Sequence, residues 1–336
     1  MMNLKARYLN EDEWDLWDRF VDECGYGTIY HKSYWNKAIF QIEQSASLSI
    51  IGCFRDQELI AGIITGRKKK FGFIHTMVPP YASCYYGLLL KERKSEHATK
   101  RETYRKEVLE FLLGFIEGEF QIITFSLPPE IKDIRSFNWK KYTARVFYTY
   151  RDSLEHPEEL FEGFLPDIRR RIKKGEKLEF IIRDTSLPDD IHHAYRLINA
   201  SHRRQDHPFR FRIEQFEAFL QLPELKDHFK IYTIWMGNTP VATIVLLIDG
   251  KIAYDWISGA DPLHYQSGLN QVLFWKVLQK LHDSGVGIFD FFGANTFSIS
   301  KYKSAFNFEL VPYYRVSKES GILARILMGI KRSLKG

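Results

Sequence analysis

Apolar and polar residues follow one another in the first half of the chain in patterns typical of a mixed α/β protein. Between residues 12 and 23, apolar side chains recur at helical spacing among acidic ones, which predicts an amphipathic helix. Residues 48–54 alternate like a strand, a polar turn follows, and residues 58–65 run back, which predicts a hairpin. The pattern then predicts a helix over 104–116, a strand over 121–127 and a short helix over 130–135.

The second half repeats this order of elements. The pattern predicts strands over residues 229–235, 241–248 and 251–258, a long helix over 268–283 and a strand over 286–291. The hairpin at 235–242 has the same strand, polar turn and strand plan as residues 54–61. Both halves begin with helices and end with a helix, a strand and a terminal strand, so the sequence predicts two similar α/β domains, 1–150 and 151–336.

Composition limits the class of protein. The chain has 336 residues, of which 45% are apolar, which is enough to bury substantial cores. The longest apolar run, residues 241–248, is far shorter than the about 20 residues that cross a bilayer, and no signal-peptide core begins the chain, so we expect a cytoplasmic protein. Cys24, Cys53 and Cys84 are far apart, which favours reduced core thiols over a disulfide framework or a zinc site.

An apolar strand, a Gly/Asn break and a Tyr-Lys segment follow one another near the end of the second half. Residues 287–295 read Gly-Ile-Phe-Asp-Phe-Phe-Gly-Ala-Asn, and residues 300–307 read Ser-Lys-Tyr-Lys-Ser-Ala-Phe-Asn. This pattern brings backbone amides and a lysine together just past a strand end, where open α/β sheets bind their ligands. We therefore expect a reaction centre here.

A second candidate site precedes it, where the predicted strand 251–258 leads through a glycine-bearing loop into a helix. Ser267, Gly268 and Leu269 stand at the helix start, where free N–H groups and the positive end of the helix dipole attract an anion. The loop resembles the acyl-CoA pyrophosphate loop of GNAT acyltransferases, in a degenerate form of the Gln/Arg-x-x-Gly-x-Gly/Ala pattern. The alternative is an ordinary loop with a helix cap.

Four motifs carry a wider resemblance: residues 28–37, the cation-rich residues 168–174, residues 289–293 and residues 302–306. Their order and spacing are similar to those of Fem-like transferases, which are tandem-GNAT proteins that include peptidoglycan peptidyltransferases and BioF2-like acyltransferases. The resemblance covers nearly the whole chain. It implies two GNAT-like domains, each a mixed, mostly antiparallel sheet flanked by helices, with the acceptor side in the first domain and the donor site in the second.

The resemblance also implies roles for single residues. Tyr302 and Lys303 match the Phe-Lys pair that places a lysine at the reacting carbonyl, where an ammonium stabilises developing oxyanion charge. The alternative for Lys303 is a surface lysine on a short amphipathic helix. The chain departs from the family pattern in having Phe292-Gly293-Ala294 where Gly-Gly-Ile is usual, and Asn307 where glycine is common.

The resemblance assigns substrate phosphates to a second set of positions. Lys37, just after Trp35 of the first motif, matches a phosphate-binding lysine, and Arg170 and Lys173 match basic residues of the arginine-rich helix. Residues 169–174 carry five cations, enough to neutralise a diphosphate. The alternative is a solvated helix face.

Other chemistry stays open at the level of sequence. A general base is not determined, although His202, Asp206 and His207 stand in a plausible polar loop. We assign no metal and no covalent nucleophile. Residues 322–334 form an apolar helical stripe interleaved with cations, which predicts either packing against the domain or peripheral contact with an anionic membrane.

The leading hypothesis is an N-acyltransferase that joins an acyl group, acetyl for example, to an amine of a cell-envelope or polysaccharide precursor, lipid-linked or small. Its co-substrate would be acyl-CoA, with no permanently bound cofactor. The first alternative is an aminoacyl-tRNA-dependent peptidyltransferase that adds an amino acid to a peptidoglycan precursor. The second is a non-catalytic GNAT pair that binds a glycan or a partner.

Overall fold

The computed structural model describes residues 3–44, 46–184, 187–205 and 209–321. The described chain forms two compact units: unit 1 contains residues 3–147 and 312–321, and unit 2 contains residues 148–311. The chain changes unit after Phe147 and again after Val311. Residues 312–321, which the sequence assigned to the second domain, belong to unit 1. The acceptor and donor roles of the two domains stay predictions.

Unit 1 consists of a sheet with helices packed against it. Its strands are β1 (Leu4–Tyr8), β2 (Ser47–Arg55), β3 (Glu58–Lys70), β4 (Ile74–Val78), β5 (Leu88–Leu90) and β6 (Ile122–Leu127). Its helices are α1 (Trp14–Glu23), α2 (Ser33–Glu43), α3 (Ala98–Glu119) and α4 (Arg135–Trp139). The strand β7 (Thr143–Ser153) then leads into unit 2.

Unit 2 also consists of a sheet with helices packed against it. Its helices are α5 (Pro157–Gly163), α6 (Pro166–Gly175), α7 (Pro188–Arg204), α8 (Ile213–Leu220), α9 (Leu269–Asp283) and α10 (Phe297–Lys303). Its strands are β8 (Ile181–Asp184), β9 (Phe229–Met236), β10 (Thr239–Asp249), β11 (Ile252–Ala260) and β12 (Ile288–Asp290). The last strand, β13 (Glu309–Glu319), leads back into unit 1.

The two units share one plan of strand pairing. In unit 1 the order is β1-β2-β3-β4-β6-β13, with β5 also on β3, and only the β4–β6 pair is parallel. In unit 2 the order is β7-β12-β11-β10-β9-β8, and only the β11–β12 pair is parallel. Each unit therefore has a mixed, mostly antiparallel sheet whose parallel pair is connected through a long helix, α3 or α9.

Each unit has its own apolar core between sheet and helices. In unit 1, residues of α3 such as Leu112 and Ile116 pack on β3 and β6. Cys53 belongs to this cluster and Cys24 to a second one, and Cys24, Cys53 and Cys84 are buried free thiols, as predicted. In unit 2, α9 is buried along most of its length against β10 and β12. Amphipathic elements bury these faces because the apolar area removed from water stabilises the fold by about 25 cal/mol per Å².

One predicted element is wrong. The short helix expected at residues 130–135 begins at Arg135 instead, since Ile134 is its cap residue and Asp133 Oδ1 accepts a hydrogen bond from the Arg135 amide at 3.0 Å. Asp133 therefore stands two residues before the first helical residue, where its side-chain oxygen accepts a backbone amide of the first turn. Within the described ranges, no helix is both long and apolar enough to span a bilayer.

Candidate active site in the second unit

Two parallel strands part in the middle of unit 2. The pairing of β11 with β12 runs from Ile252↔Ile288 to Tyr254↔Asp290, after which β12 ends while β11 continues to Ala260. One residue beyond the last pair, β11 has a bulge, since Asp255 and Ile257 pair with consecutive residues of β10 and Trp256 between them has no partner there. A bulge re-aims side chains and bends its strand. Asp255 therefore stands where the two strands separate, at the carboxyl end of β12.

Asp255 forms a buried ion pair with the lysine that the sequence singled out. Lys303 Nζ lies 2.9 Å from Asp255 Oδ2, and the two residues are 9% and 7% exposed. The same ammonium donates to the carbonyl oxygen of Phe291 and lies 4.1 Å from the centroid of its ring. Lys303 is therefore not the surface lysine of the alternative interpretation. It is held at the end of β12 by α10, on which it is the last residue.

One oxygen of this pair lacks a partner. Asp255 Oδ1 is buried and has no hydrogen bond to any described residue. Leaving a buried charged acceptor unpaired costs about 1–3 kcal/mol or more, so such atoms cluster where a ligand or a reaction uses them. The sequence interpretation missed Asp255. The available signal was a lone carboxylate in the apolar strand Ile-Ala-Tyr-Asp-Trp-Ile.

The chain turns sharply just after β12. Phe292 has φ +43° and Gly293 has φ +73°, so two consecutive residues are left-handed. The fully buried Asp290 stabilises the turn, because its Oδ1 accepts the Phe292 amide at 3.1 Å and the Thr149 hydroxyl. A Cβ added to Gly293 would lie 3.5 Å from Lys303 Nζ, so the turn brings backbone next to the ammonium.

The departures from the family pattern occur at left-handed positions. Phe292 and Asn307, at which the resemblance led us to expect glycine, have φ +43° and +56°. A left-handed conformation costs an L-residue about 1–2 kcal/mol, less for asparagine than for a bulky side chain. Phe292 and Asn307 therefore hold a conformation that glycine adopts at lower cost.

Tyr302 connects this centre to the start of α9. Its hydroxyl accepts a hydrogen bond from Asn270 Nδ2, in the first turn of α9, at 2.9 Å. Burial raises the pKa of Tyr302 well above its usual value, so the phenol is protonated at neutral pH. The two candidate sites of the sequence, the Tyr-Lys segment and the glycine-bearing loop, are therefore neighbours.

The helix start itself is tightly packed on α6. Gly268 is the cap residue of α9 with φ +85°, and a Cβ there would lie 2.1 Å from the carbonyl oxygen of Arg171. Ser267 Oγ accepts the Leu269 amide at 3.1 Å and donates to the His264 carbonyl at 2.6 Å. Glycine is required at residue 268 both for its conformation and for the close approach of α6.

The basic helix α6 lies along the loop that precedes α9. Lys174 Nζ donates to the Gln266 carbonyl at 2.7 Å, and Arg171 Nη1 donates to the Tyr265 carbonyl at 3.4 Å. Arg170 and Lys173 are exposed, and Arg170 lies 3.4 Å from Asp167 in an ion pair one turn away. The structure thus places a cationic helix beside a helix N-terminus, an arrangement that suits a diphosphate.

The first-motif residues lie in unit 1. Trp35 is fully buried, with its indole N–H donating to Ser83 Oγ at 2.8 Å. Lys37 is exposed, and its Nζ lies 5.7 Å from the ring centroid of Trp14. The packing of Trp35 gives it a structural role, and the predicted contacts of both residues with substrate stay predictions.

The remaining predicted chemistry is only partly described. The ring of His202 lies 5.3 Å from that of Phe209, while Asp206, His207 and the stripe at 322–334 lie outside the described residues. The described residues contain no group of three or more histidine, cysteine, aspartate or glutamate side chains that could hold a metal ion.

Comparisons with known proteins agree with this fold. Residues 164–304 match the family model of an acetyltransferase (GNAT) domain. FemX superposes with a TM-score of 0.68 at 10% identity, covering 92% of this chain and 96% of FemX. L-PGS from Bacillus licheniformis superposes with a TM-score of 0.57 at 11% identity, covering 97% of each chain.

A tandem GNAT protein from the clavulanic acid biosynthesis pathway superposes with a TM-score of 0.51 at 11% identity, covering 95% of this chain and 99% of that one. No curated protein has a significantly similar sequence. The matched domain includes β11, β12, α6, α9 and α10, which form the candidate site. The predicted fold is thereby confirmed: the chain has the Fem-like tandem GNAT fold, with its GNAT family match inside unit 2.

Proposed function

We propose that this protein is an acyltransferase that forms an amide between an acyl group and an amine of a cell-envelope or polysaccharide precursor, with acyl-CoA as the donor. The observation that carries the proposal is the buried Lys303–Asp255 pair at the point where β11 and β12 part. The match to a GNAT domain and the likeness of the whole fold to FemX support the class of reaction.

The groups at the site suit acyl transfer. The amine attacks the thioester carbonyl, a C–N bond forms, the C–S bond breaks, and the CoA thiolate leaves with a proton. The ammonium of Lys303 would stabilise the negative charge that develops on the carbonyl oxygen. Tyr302, protonated at neutral pH, would supply the proton to the thiolate, and Asp255 Oδ1 would accept one from the amine.

The donor's phosphates have a suitable place nearby. The start of α9 offers the positive end of a helix, and the exposed Arg170 and Lys173 add cations on α6. Asn270 joins this region to Tyr302 by a hydrogen bond. A donor bound with its phosphates on α6 and α9 would therefore have its thioester directed to the residues around Lys303.

A second candidate donor is an aminoacyl-tRNA. The observation that favours it is the exposed cationic face of α6, since cations such as Lys173 also attract the phosphates of a nucleic acid. The reaction at the carbonyl would be the same, except that an ester C–O bond would break.

A thermal-shift comparison separates the donors. Acetyl-CoA should raise the melting temperature of the protein, whereas a charged tRNA should not. The reverse result would select the tRNA route. Stabilisation by neither, with no product from acetyl-CoA and a panel of amino sugars and diamino acids, would favour the non-catalytic binding protein.

Replacing the central lysine tests the mechanism. We expect Lys303→Ala to lower turnover by about 100-fold or more, the usual effect of losing one group that stabilises an oxyanion. The matched control is Lys301→Ala, two residues earlier on α10 and exposed, which should stay within about twofold of the wild type. Turnover is measured as amide product by mass spectrometry.

Because Lys303→Ala leaves Asp255 buried and unpaired, it also costs about 3–5 kcal/mol of stability. The double variant Lys303→Met/Asp255→Asn removes both charges and keeps the chain folded for the assay. Full activity in either variant would refute the role of Lys303.

A further inference from the structure

The hairpin of β3 and β4 in unit 1 ends in two exposed aromatic side chains. The strands pair from Gly66↔Val78 to Lys70↔Ile74, and the Phe73 amide closes the turn by donating to the Lys70 carbonyl at 3.3 Å. Phe71 is 67% exposed and Phe73 is 56% exposed. The next residue, Ile74, is 3% exposed, so the two phenylalanines mark the point at which the hairpin leaves the core.

Phenylalanine at residue 71 is unfavourable for the turn itself. Phe71 has φ +52° and Gly72 has φ +81°, so both central residues of the turn are left-handed, the condition of a type I′ turn. Such turns prefer Asn-Gly, because a bulky side chain disfavours this conformation. The residue thus benefits neither the turn nor the core, which points to contact with something outside the chain.

Cations surround the tip. Lys68 and Lys69 are exposed, stand on opposite faces of β3, and make no ion pair with any described residue. Arg67, one position earlier, is already held by the Tyr8 hydroxyl at 2.9 Å and by Glu119 at 3.4 Å. Residues 66–74 contain no acidic side chain. The result is an apolar tip with two lysines behind it, Lys68 and Lys69, whose charges no described carboxylate neutralises.

We propose that this hairpin tip, defined by Lys68, Lys69, Phe71 and Phe73, docks on the surface of an anionic phospholipid bilayer. The two rings would enter the interface between headgroups and acyl chains, and the lysines would remain among the lipid phosphates. The positive charge of Lys68 and Lys69 favours binding to anionic over neutral lipid. This inference goes beyond the proposed function and does not depend on it, since binding is measured without any transfer reaction.

The shape of the tip favours a membrane over RNA. Aromatic residues that bind RNA usually stack bases on a surface bordered by further contacts, whereas these two rings lie at a turn of only a few residues. A protruding apolar turn with lysines beside it can insert into the headgroup region of a bilayer, which needs no complementary pocket.

Vesicle flotation of the full chain tests the proposal. Vesicles of phosphatidylglycerol and phosphatidylcholine should carry the protein, and vesicles of phosphatidylcholine alone should carry much less. Phe71→Ser/Phe73→Ser should weaken binding by about tenfold or more. Lys68→Gln/Lys69→Gln should weaken it by about 25-fold, or fivefold for each lysine, and raised salt should reduce wild-type binding.

Matched controls remove similar groups elsewhere. Ile181→Ser replaces an apolar residue that is 62% exposed on β8, and Lys230→Gln/Lys251→Gln removes two exposed lysines of unit 2, so the net charge falls equally. Both controls should bind as the wild type does. Failure of the wild type to bind phosphatidylglycerol vesicles would overturn the proposal, as would unchanged vesicle binding in the tip variants. Loss of tRNA binding in those variants, with vesicle binding intact, would overturn it in favour of a nucleic acid partner.

Discussion

At the scale of single residues, two buried polar side chains, His31 and Asp255, each have an atom without a hydrogen bond to a described residue. His31 is fully buried in the first motif, where its Nδ1 lies 2.9 Å from the Thr28 hydroxyl and its Nε2 has no hydrogen bond to a described residue. Asp255 likewise has one buried side-chain atom, Oδ1, without a hydrogen bond to a described residue, and it lies beside Lys303. The two cases differ in outcome, because a histidine avoids the cost of a buried charge by staying neutral, whereas the carboxylate is stabilised by an ammonium.

The buried histidine predicts how stability depends on pH. Burial lowers the pKa of His31 to about 3, against about 6.5 in the unfolded chain. Below pH 6.5 the unfolded state binds a proton that the folded state does not, so the contribution of His31 to stability is lost as pH falls from 6.5 towards 3. Between pH 7 and pH 5 we expect a loss of about 2 kcal/mol in the free energy of unfolding.

Urea denaturation at the two pH values measures this loss. His31→Gln removes the titrating ring and leaves the other groups of the chain unchanged, so its pH dependence should be smaller by the same amount. If the variant and the wild type lose equal stability between pH 7 and pH 5, the assignment to His31 is wrong.

At the scale of elements, the candidate site depends on how α6, α9 and α10 meet. Hydrophobic periodicity predicted β11 and α9 to within two residues, since those patterns are local. The same reasoning identified Lys303 only with the help of the family resemblance and did not find Asp255. The two residues are far apart in sequence, and the bulge that places Asp255 depends on the pairing with β10.

The start of α9 offers a test with a built-in control. Gly268 and Gly285 have φ +85° and +83°, but a Cβ would lie 2.1 Å from the Arg171 carbonyl at Gly268 and meet nothing within 4 Å at Gly285. Gly285→Ala should cost about 1 kcal/mol of stability, from the conformation alone. Gly268→Ala should cost at least about 2 kcal/mol more and raise the KM for acyl-CoA, because α6 must move away from α9.

Thermal or urea denaturation gives the stability of both variants, and steady-state kinetics separates KM from kcat. Equal losses of stability in the two alanine variants would show that the contact between α6 and the helix start is not as close as described.

At the scale of the whole molecule, unit 1 is built from two separate segments of the chain, whereas unit 2 is one continuous segment. β7 follows the elements of unit 1 but pairs with β12 in unit 2, from Ile288↔Ser153 to Asp290↔Arg151. β13 follows the elements of unit 2 but pairs with β6 in unit 1, from Tyr314↔Leu127 to Glu319↔Ile122. Unit 1 therefore needs a strand, β13, that the chain supplies only after all of unit 2.

The pairing of β13 with β6 predicts which unit a mutation at Val316 destabilises. Val316 is fully buried in the core of unit 1, so Val316→Ala should destabilise that unit by about 2 kcal/mol through lost apolar contacts. Hydrogen exchange followed by mass spectrometry should show faster exchange in β6 and unchanged exchange in α9. The matched control, Val272→Ala in the core of unit 2, should show the opposite. Faster hydrogen exchange confined to α9 in Val316→Ala would contradict the pairing of β13 with β6 in unit 1.

The sequence alone determined most of the helices and strands, the repeated order of the two halves and the Tyr-Lys segment, because hydrophobic period, turn residues and short motifs are properties of neighbouring residues. Only the tertiary structure decided that Lys303 pairs with Asp255, that α6 lies against the start of α9, and that residues 312–321 belong to unit 1. Each of these depends on contacts between distant segments, and such a contact leaves no periodic trace in either segment.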